Sequence, residues 1–449
     1  MHNTRKTYYF LGIGGIGMSA LARYFKKQGC DVSGYDKTPS QLAKQLVEEG
    51  IDVHYEENIE KIPSQADLVV YTPAIPEDNK EYQFILKNGF LIKKRAEVLS
   101  ELTNNLYSIA IAGTHGKTTI TGMIAHILFS AGTPVNAFVG GIIKNYNSNL
   151  ITCENAEIAV LEADEYDRSF LWLTPDIAIV SAMDADHLDI YSNKQNLQDN
   201  FRLFAQKIKE NGNLLIKKDL DINANKNINS YRYSLQSKTD FYAKDIRIED
   251  SHYCFTACLR GEEVPVLLQI PGMHNVENAM AAIAACFLAG VNSILIKKGI
   301  ESFMGISRRF DIRYEKKNMV YIDDYAHHPE EMKAVISTLR DLYPGKKKTG
   351  IFQPHLFSRT LHFADEFAKT LDMLDEAILM EIYPARETPI EGVTSDMLLK
   401  KMTIDNKKIL SENEICEFVR NNNIEVLITM GAGDIDRLVL PIEETLEKK

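Results

Sequence analysis

An apolar run that ends in a glycine-rich turn constrains this 449-residue chain most strongly. Residues 107–112 (YSIAIA) have the character of a buried strand, and GTHGKTT follows directly at 113–119. A helix beginning near Thr118 would complete a strand–turn–helix unit whose backbone N–H groups and helix N-terminus face an anion. Lys117 adds a positive charge for β- and γ-phosphates, and Thr118 adds a hydroxyl suited to Mg²⁺. The pattern predicts an α/β domain that binds ATP.

The spacing of this turn differs from the standard P-loop. The glycine expected five residues before Gly116 is Ile111, and Gly113 lies only three residues before it, so the loop is shorter. A glycine turn with a surface lysine is the structural alternative. The coincidence of strand, GKT and helix argues against that alternative.

Composition restricts the class of protein. The length predicts about three domains, and an apolar content of 45% gives each of them a core. The net charge of −11 disfavours nucleic acid as a partner. Six scattered cysteines fit free thiols in a reducing compartment. Because no apolar run approaches the ~20 residues of a membrane span and no signal-like segment opens the chain, we expect a cytosolic protein without a membrane partner.

Strands alternate with helical patterns along almost the whole chain, which predicts an α/β fold with mostly parallel sheets. We expect three domains with the boundaries 1–106, 107–313 and 314–449. The stretch from about 211 to 270 in the middle domain is rich in strands and turns.

The first domain contains the pattern GIGGIG at 12–17, which follows a strand and opens a helix, and Asp36 closes the next strand. This is the dinucleotide-binding fingerprint with its acidic residue about 20 positions on. Its glycines let the backbone approach a diphosphate, so NAD and UDP-linked compounds fit equally well. A purely structural turn is the third possibility. The candidate binding residues are Gly14, Gly15, Ile16, Gly17 and Asp36.

Acidic clusters follow two strands of the middle domain. EADEYD begins at Glu162 after the strand 158–161, and DADHLD begins at Asp184 after an apolar run. Carboxylates and an imidazole at adjacent strand ends suit metal bridging to ATP phosphates, and Glu162, His187 and Thr118 would suffice for Mg²⁺. Solvated loop residues and helix caps are the alternative for some of these acids.

Polar groups also gather after strands of the third domain. The motifs are RRF at 308–310, DDYAHHP at 323–329, QPHLFSRT at 353–360 and GAGD at 431–434. Each alone is more typical of a capped turn. Together they predict a site, because ligands of open α/β sheets bind at the carboxyl ends of the strands.

The chain resembles the Mur ligase family over essentially its whole length, and within that family the alanine-adding branch. The motifs that carry the resemblance occur in family order: GIGGIGMSALA (12–22), GTHGKTT (113–119), EADEYDRSF (162–170), DADHLDIY (184–191), HNVEN (274–278), RRFD (308–311), DDYAHHP (323–329), FQPHLFSRT (352–360), EIYPARETPIEGVTS (381–395) and GAGDI (431–435).

The resemblance implies an N-terminal Rossmann-like UDP-binding domain, a central P-loop ATPase and a C-terminal Rossmann-like domain that closes over the site. It implies that ATP phosphorylates the lactyl carboxylate of UDP-N-acetylmuramate and that the amino group of L-alanine attacks the acyl phosphate. Mg²⁺ is the expected metal, and a monomer or weak homodimer is the expected assembly. A related ligase that adds another amino acid or a peptide to the same UDP-sugar is the alternative.

Residue roles follow where the motifs match the family. Phosphate contacts are expected from the loop residues Gly113, Thr114, His115, Gly116, Lys117, Thr118 and Thr119. Thr118 and Glu162 should ligate one Mg²⁺ and His187 a second. Nucleoside contacts are expected from Asn275, Asp324 and Arg308. The alanine and the acyl centre should be framed by Tyr325, His327, His355 and Arg359, and the catalytic set is Lys117, Glu162, His187, His327 and Arg359.

The chain departs from the family pattern in two places. Position 356 is Leu where an arginine is common, which leaves Arg359 to bind more of the amino-acid carboxylate. No equivalent of the carbamylated lysine of other branches occurs around 200–202.

Three other functions compete with this interpretation. A folylpolyglutamate-synthase-like ligase would lack the first glycine-loop domain. An NAD-dependent dehydrogenase would leave the P-loop unused. A nucleotide-sensing module would not need Glu162, His187 and His327.

Overall fold

The computed structural model describes residues 5–184, 194–223, 225–316, 318–385 and 387–449. The chain forms two compact units. The first comprises the chain up to Arg247 together with 254–269 and 276–304, and the second comprises 248–253, 270–275 and 305–449.

The first sheet contains five parallel strands in the order β3-β2-β1-β4-β5. They are β1 (Thr7–Leu11), β2 (Asp31–Tyr35), β3 (Asp52–His54), β4 (Leu68–Tyr71) and β5 (Ile92–Lys94). Both faces of β1 are covered, because Tyr9 and Leu11 join one apolar cluster and Tyr8 and Phe10 join another. Burial on both faces explains why this strand is apolar throughout.

The central sheet has ten strands in the order β15-β14-β13-β12-β11-β10-β6-β9-β7-β8. They are β6 (Tyr107–Ala112), β7 (Val135–Ile143), β8 (Ser148–Ile151), β9 (Ile158–Glu162), β10 (Ile177–Val180), β11 (Asn213–Lys217), β12 (Asn229–Leu235), β13 (Phe241–Glu249), β14 (His252–Leu259) and β15 (Glu262–Leu268). The pairs β10–β6, β6–β9 and β9–β7 are parallel, whereas β7 and β8 form an antiparallel hairpin. The carboxyl ends of β6, β9 and β10 therefore lie side by side.

The third sheet belongs to the second unit and has the order β16-β17-β21-β18-β19-β20. Its strands are β16 (Asp311–Lys316), β17 (Met319–Asp324), β18 (Lys348–Phe352), β19 (Glu376–Leu379), β20 (Lys407–Ile409) and β21 (Val426–Met430). Only the β16–β17 pair is antiparallel among the described pairs of this sheet. Val320 and Ile322 pack on one face and Tyr321 on the other, so this sheet is also covered on both sides.

Fourteen helices pack around the sheets within the described residues. They are α1 (Ile16–Lys27), α2 (Gln41–Glu48), α3 (Lys80–Lys87), α4 (Arg95–Thr103), α5 (Lys117–Ser130), α6 (Lys194–Ala205), α7 (Met273–Leu288), α8 (Ser293–Ser302), α9 (Pro329–Leu342), α10 (Phe357–His362), α11 (Ala364–Leu371), α12 (Ser395–Lys401), α13 (Glu412–Asn421) and α14 (Val439–Glu447). No helix in the described ranges is long and apolar enough to span a bilayer.

The first residues of α5 and α9 show how the sequence determines where a helix begins. The strand 107–112 is confirmed as β6, and the helix expected near Thr118 begins one residue earlier, at Lys117. In α9, His328 caps the helix by accepting the Glu330 N–H, and Pro329 occupies the first turn. Proline fits there because the first N–H groups of a helix have no intrahelical partner.

Candidate active site

The turn between β6 and α5 is shaped by two glycines. Gly113 has φ +134° and Gly116 has φ +84°, a region that favours glycine. A methyl group at Gly113 would overlap the Ser181 hydroxyl, and one at Gly116 would lie 2.5 Å from Asn278 Oδ1. Ser181, which follows β10, and Asn278, which lies in α7, therefore leave no room for side chains at these two positions. The turn backbone at the N-terminus of α5 can then approach an anion closely.

The remaining residues of this turn line the same helix end. Thr114, Thr118 and Thr119 are buried, and the His115 imidazole lies 3.5 Å from the Asp184 carboxylate. The predicted loop residues 113–119 thus lie together, at the point where a phosphate would meet the helix dipole.

Lys117 lies at the start of α5, and its ammonium group is anchored. It donates to both carboxylate oxygens of Glu165 at 2.8 Å and to the Gly113 carbonyl at 2.8 Å. Burial opposes the charge on Lys117, but the carboxylates of Glu165, Asp164 and Glu162 together outweigh burial and raise the pKa of Lys117 above its usual value. The lysine is therefore charged at neutral pH and held beside the turn.

Glu162, the last residue of β9, meets the phosphate turn from the adjacent strand. Its carboxylate accepts the Gly140 N–H at 2.5 Å, and the nearby Thr118 hydroxyl acts to lower its pKa. Burial raises the pKa of Glu162, and the Gly140 N–H and Lys117 act against that rise.

This oxygen pair suits a magnesium ion. A partly buried carboxylate near a threonine hydroxyl offers the hard oxygen ligands that Mg²⁺ prefers, and a divalent charge would offset the cost of desolvating the carboxylate. Thr118 and Glu162 therefore fit the metal predicted for them. The other predicted ligand, His187, lies outside the described residues. Within the described ranges, no three His, Cys, Asp or Glu side chains form a cluster that could hold a metal.

The second glycine turn, between β1 and α1, has the same strand–turn–helix order but contains no lysine. Asp36 accepts the Gly14 N–H at 2.8 Å through one oxygen and the Thr38 N–H at 2.9 Å through the other. Gly15 is the N-cap of α1, and Ile16 and Gly17 form its first turn. The predicted residues of this turn lie together, with Asp36 bonded to the turn backbone.

Arg95, at the start of α4, lies against this turn and was missed by the sequence motifs. A methyl group at Gly17 would overlap the Arg95 guanidinium, which is also 3.8 Å from Asp164. A cation placed at the positive end of α1 favours an anion between them. The sequence signal was weak, because Arg95 lies in no glycine motif.

In the second unit, the ends of β17 and β21 bring together an arginine and two aspartates. Arg308 donates from Nε to Asp323 at 3.0 Å and from Nη2 to the Gly431 carbonyl at 2.8 Å. Asp324 accepts the N–H groups of Phe310 at 2.6 Å and Ala326 at 2.7 Å. Burial raises the pKa of Asp324 to about 6.

Asn275, the third predicted nucleoside residue, belongs to the same unit and is 4% exposed. Its side-chain amide donates to the Pro271 carbonyl at 2.7 Å, which fixes its orientation at the start of α7.

Aromatic and imidazole side chains cluster at the same sheet edge. The rings of Tyr325 and His327 are 5.2 Å apart, those of His327 and His355 are 5.9 Å apart, and His355 stacks on Tyr383 at 5.7 Å. The His327 ring bonds the Tyr325 carbonyl at 2.9 Å. Tyr383 was not expected here from the sequence, although it lies within the EIYPARE motif.

Leu356 lies next to His355 in a backbone conformation that leucine rarely adopts. Its φ is +70° and its ψ is 136°, at the N-cap of α10, the helix that carries Arg359. The Leu356 N–H donates to the Tyr383 carbonyl at 3.0 Å, and the Thr360 hydroxyl donates to the Leu356 carbonyl at 2.7 Å. Such strain persists only where surrounding contacts enforce it, and it is typical of functional sites.

Comparison with protein families matches nearly the whole chain. The Mur ligase family catalytic domain matches residues 7–107, the Mur ligase middle domain matches 111–286, and the Mur ligase glutamate ligase domain matches 308–435.

Curated relatives match at full length. The UDP-N-acetylmuramate–L-alanine ligase of Flavobacterium johnsoniae is 47% identical, with 99% of each chain covered. That of Parabacteroides distasonis is 46% identical, with 98% of this chain and 97% of the relative covered.

Solved structures have the same fold. The UDP-N-acetylmuramate-alanine ligase MurC of Thermotoga maritima has a TM-score of 0.84 at 25% identity and covers 98% of this chain and 99% of its own. A murein peptide ligase from Psychrobacter arcticus has a TM-score of 0.72 at 23% identity, with coverage of 98% and 99%. The predicted three-domain α/β fold with mostly parallel sheets is thereby confirmed. With domain matches along its length and relatives 46–47% identical over 98–99% of it, the chain belongs to the Mur ligase family.

Proposed function

We propose that this enzyme uses ATP to join L-alanine to the lactyl carboxylate of UDP-N-acetylmuramate, releasing ADP and phosphate. The observation that carries the proposal is the phosphate turn, where Lys117, Thr118 and Glu162 converge at adjacent strand ends. Full-length similarity to ligases of that name supports the choice of substrates.

The chemistry requires activation because a carboxylate is a poor acceptor for an amine. Transfer of the γ-phosphoryl group of ATP to the lactyl carboxylate gives an acyl phosphate and ADP. The neutral amino group of alanine then attacks the acyl carbon, and phosphate leaves from the tetrahedral intermediate. Positioning and charge neutralisation dominate such catalysis.

The first unit supplies the phosphate-transfer groups in this proposal. Lys117 neutralises charge on the β- and γ-phosphates, and the N–H groups at the start of α5 bind their oxygens. Thr118 and Glu162 would hold one Mg²⁺ and His187 a second, and the metal would supply charge neutralisation for the transferring phosphoryl group.

The glycine turn after β1 holds the UDP diphosphate in the same proposal. Gly14, Gly15, Ile16 and Gly17 offer backbone N–H groups to the phosphates. The bonds of Asp36 to the turn backbone support a role in keeping that turn in shape.

In the second unit, Asn275, Asp324 and Arg308 are the proposed nucleoside residues. Because Arg308 is bonded to Asp323 and Gly431, we assign it the task of holding the β17 and β21 ends together beside the nucleotide.

Tyr325, His327, His355 and Arg359 are the proposed groups at the alanine and the acyl centre. Position 356 is a leucine where an arginine is common in the family, so one positive charge near the alanine carboxylate is missing. Arg359 therefore contributes more of the binding of that carboxylate.

The finer organisation of the molecule follows the same proposal. We place the domain boundaries at 1–106, 107–313 and 314–449, the protein in the cytosol, and the assembly as a monomer or weak homodimer. Light scattering coupled to size exclusion measures the assembly directly.

Phosphate release from ATP tests the function. We expect release in the presence of UDP-N-acetylmuramate to rise on adding L-alanine, with glycine and L-serine giving lower rates. Stimulation by glutamate or a tripeptide, and not by alanine, would assign the enzyme to another branch of the family. Full-length similarity that includes residues 7–107 argues against a folylpolyglutamate-synthase-like ligase, and the engaged P-loop lysine argues against a dehydrogenase.

A further inference from the structure

Asn149, in β8 of the central sheet, bonds directly to the helix that follows the first glycine turn. Its side chain is fully buried. The amide nitrogen donates to the Ile16 carbonyl at 2.6 Å and to the Ser19 hydroxyl at 2.9 Å. The amide oxygen accepts from the Arg23 guanidinium. Both amide hydrogens and the oxygen are therefore used, and all three partners belong to α1.

The partners of Asn149 are themselves fixed. Arg23 is 4% exposed and donates to both oxygens of Glu49, with Nε–Oε2 at 2.8 Å and Nη2–Oε1 at 2.7 Å. The Ser19 hydroxyl donates to the Ile16 carbonyl at 2.9 Å. Because Ile16 belongs to the glycine turn, this network ties the turn to the central sheet.

The hairpin that carries Asn149 also reaches the phosphate-transfer residues. β8 pairs with β7 through Phe138 and Leu150, and β7 pairs with β9 through Phe138 and Leu161. Farther along β7, the Gly140 N–H donates to Glu162 at 2.5 Å. A methyl group at Gly140 would lie 2.5 and 2.7 Å from the two Glu162 oxygens, so the carboxylate lies directly on the hairpin backbone.

We propose that Asn149 is a positioning residue, which with the β7–β8 hairpin sets the distance between the bound UDP-sugar and the phosphate turn. The proposal rests on the proposed function, since it joins a UDP-binding turn to a phosphate-transfer site. The UDP part of the substrate binds at the turn after β1, and the γ-phosphate of ATP binds at the turn after β6. The reacting carboxylate of the UDP-sugar must come within about 3–3.5 Å of that phosphate. A rigid link between the two turns keeps that distance.

A purely structural role for Asn149 makes a different prediction. Loss of a buried polar contact would lower the stability of the protein and would weaken the binding of both UDP-N-acetylmuramate and ATP. Loss of alignment lowers kcat while each ligand still binds its own intact turn, since a misplacement of about 1 Å can cost ~100-fold in rate.

The discriminating variant is Asn149→Asp. Aspartate keeps an acceptor for Arg23, loses both donated hydrogen bonds and turns an oxygen toward the Ile16 carbonyl. We expect kcat for alanine ligation to fall by about 10- to 100-fold, with the dissociation constants of UDP-N-acetylmuramate and ATP within about threefold of wild type by calorimetry.

Thr152→Val is the matched control. Thr152 follows the same hairpin and donates to Asn136 at 2.7 Å, without a hydrogen bond to α1. We expect its kcat to stay near the wild-type value. Ser19→Ala, which removes one Asn149 bond and leaves the amide in place, should lower kcat by about fivefold.

The outcomes separate the two proposals. Wild-type enzyme without alanine-dependent phosphate release would overturn the proposed function itself. If the wild type is active, two results would overturn the positioning role. One is an Asn149→Asp variant that is as active as the wild type, and the other is a variant whose kcat and UDP-sugar affinity fall in proportion. If Asn149→Asp does not fold, Ser19→Ala decides, and an unchanged kcat in that variant would overturn the role.

Discussion

The chain uses a strand, a glycine turn and a helix twice within one unit, and the two turns differ in where their cation lies. After β6 the cation is part of the turn, because Lys117 opens α5 and is paired with the buried Glu165. After β1 the turn is GIGGIG and carries no charge of its own, and Arg95 approaches it from α4. The same strand–turn–helix order therefore carries its cation within the turn in one place and receives it from a separate helix in the other.

This difference fits two tasks for one local structure. A lysine on a flexible stem within the turn can stay with a phosphoryl group while charge redistributes during transfer. A guanidinium held from another helix suits an anion that stays in place. We therefore propose that phosphoryl transfer takes place at the turn after β6 and that the turn after β1 only binds its ligand.

The largest effect should come from Lys117→Ala. We expect turnover to fall by at least about 100- to 1,000-fold, since the positive charge at the transferring phosphate is lost. UDP-N-acetylmuramate should still bind with nearly wild-type affinity by calorimetry. A comparable loss of UDP-sugar affinity would show that the two turns do not act as separate sites.

Glu165→Gln should have the next largest effect, because it removes the counter-charge without removing the cation. Breaking a buried ion pair costs about 3–5 kcal/mol of folding free energy, and Lys117 would no longer be anchored. Removing Glu165 takes away the largest of the charges that raise the pKa of Lys117, while burial still opposes the charge. The pKa of Lys117 therefore falls, and the loss of kcat should grow as the pH rises into the alkaline range. Steady-state kinetics against pH, with Asp184→Asn as the control, measure this growth. A loss that is independent of pH would contradict the role of Glu165.

Arg95→Ala tests the role of the guanidinium that approaches the turn after β1 from α4. We expect the KM for UDP-N-acetylmuramate to rise by about tenfold, the value of a hydrogen bond to a charged group, with the KM for ATP unchanged. Arg95→Lys should restore part of the affinity because it keeps the charge. Lys93→Ala is the matched control, since Lys93 pairs with Glu101 near the same helix. An ATP-specific defect in Arg95→Ala would reverse the assignment of the two turns.

Both glycine turns were predictable from the sequence because their signals are local. A strand, glycines at fixed spacing and a helix start within a few residues of one another, and Glu162 follows its strand directly. The unusual spacing around Gly116 did not obscure the turn, since the required positive φ values fall on glycines.

The residues that connect the turns to their surroundings were not predictable in the same way. Glu165 is 48 positions from Lys117, and Asn149 is 133 positions from Ile16. Their roles arise from strand order and packing, which no local pattern specifies. Asp36 shows a further limit, because its position followed from the fingerprint while its bonds to the turn backbone required the structure.

The smallest expected effect is a pH dependence of kcat that the affinity for the UDP-sugar does not share. Burial raises the pKa of Glu162, so as the pH falls this carboxylate takes up a proton before an exposed glutamate does. A protonated carboxyl group is a poor ligand for Mg²⁺, and kcat should therefore decline a few-fold as the pH falls from neutral into the acid range. Proton and metal compete for the same oxygens, so excess Mg²⁺ should shift the decline to lower pH.

The affinity for UDP-N-acetylmuramate, measured by calorimetry over the same pH range, should change less, because Glu162 lies beside the turn after β6 and not at the turn after β1. A decline that excess Mg²⁺ leaves in place would assign the titration to a group other than Glu162.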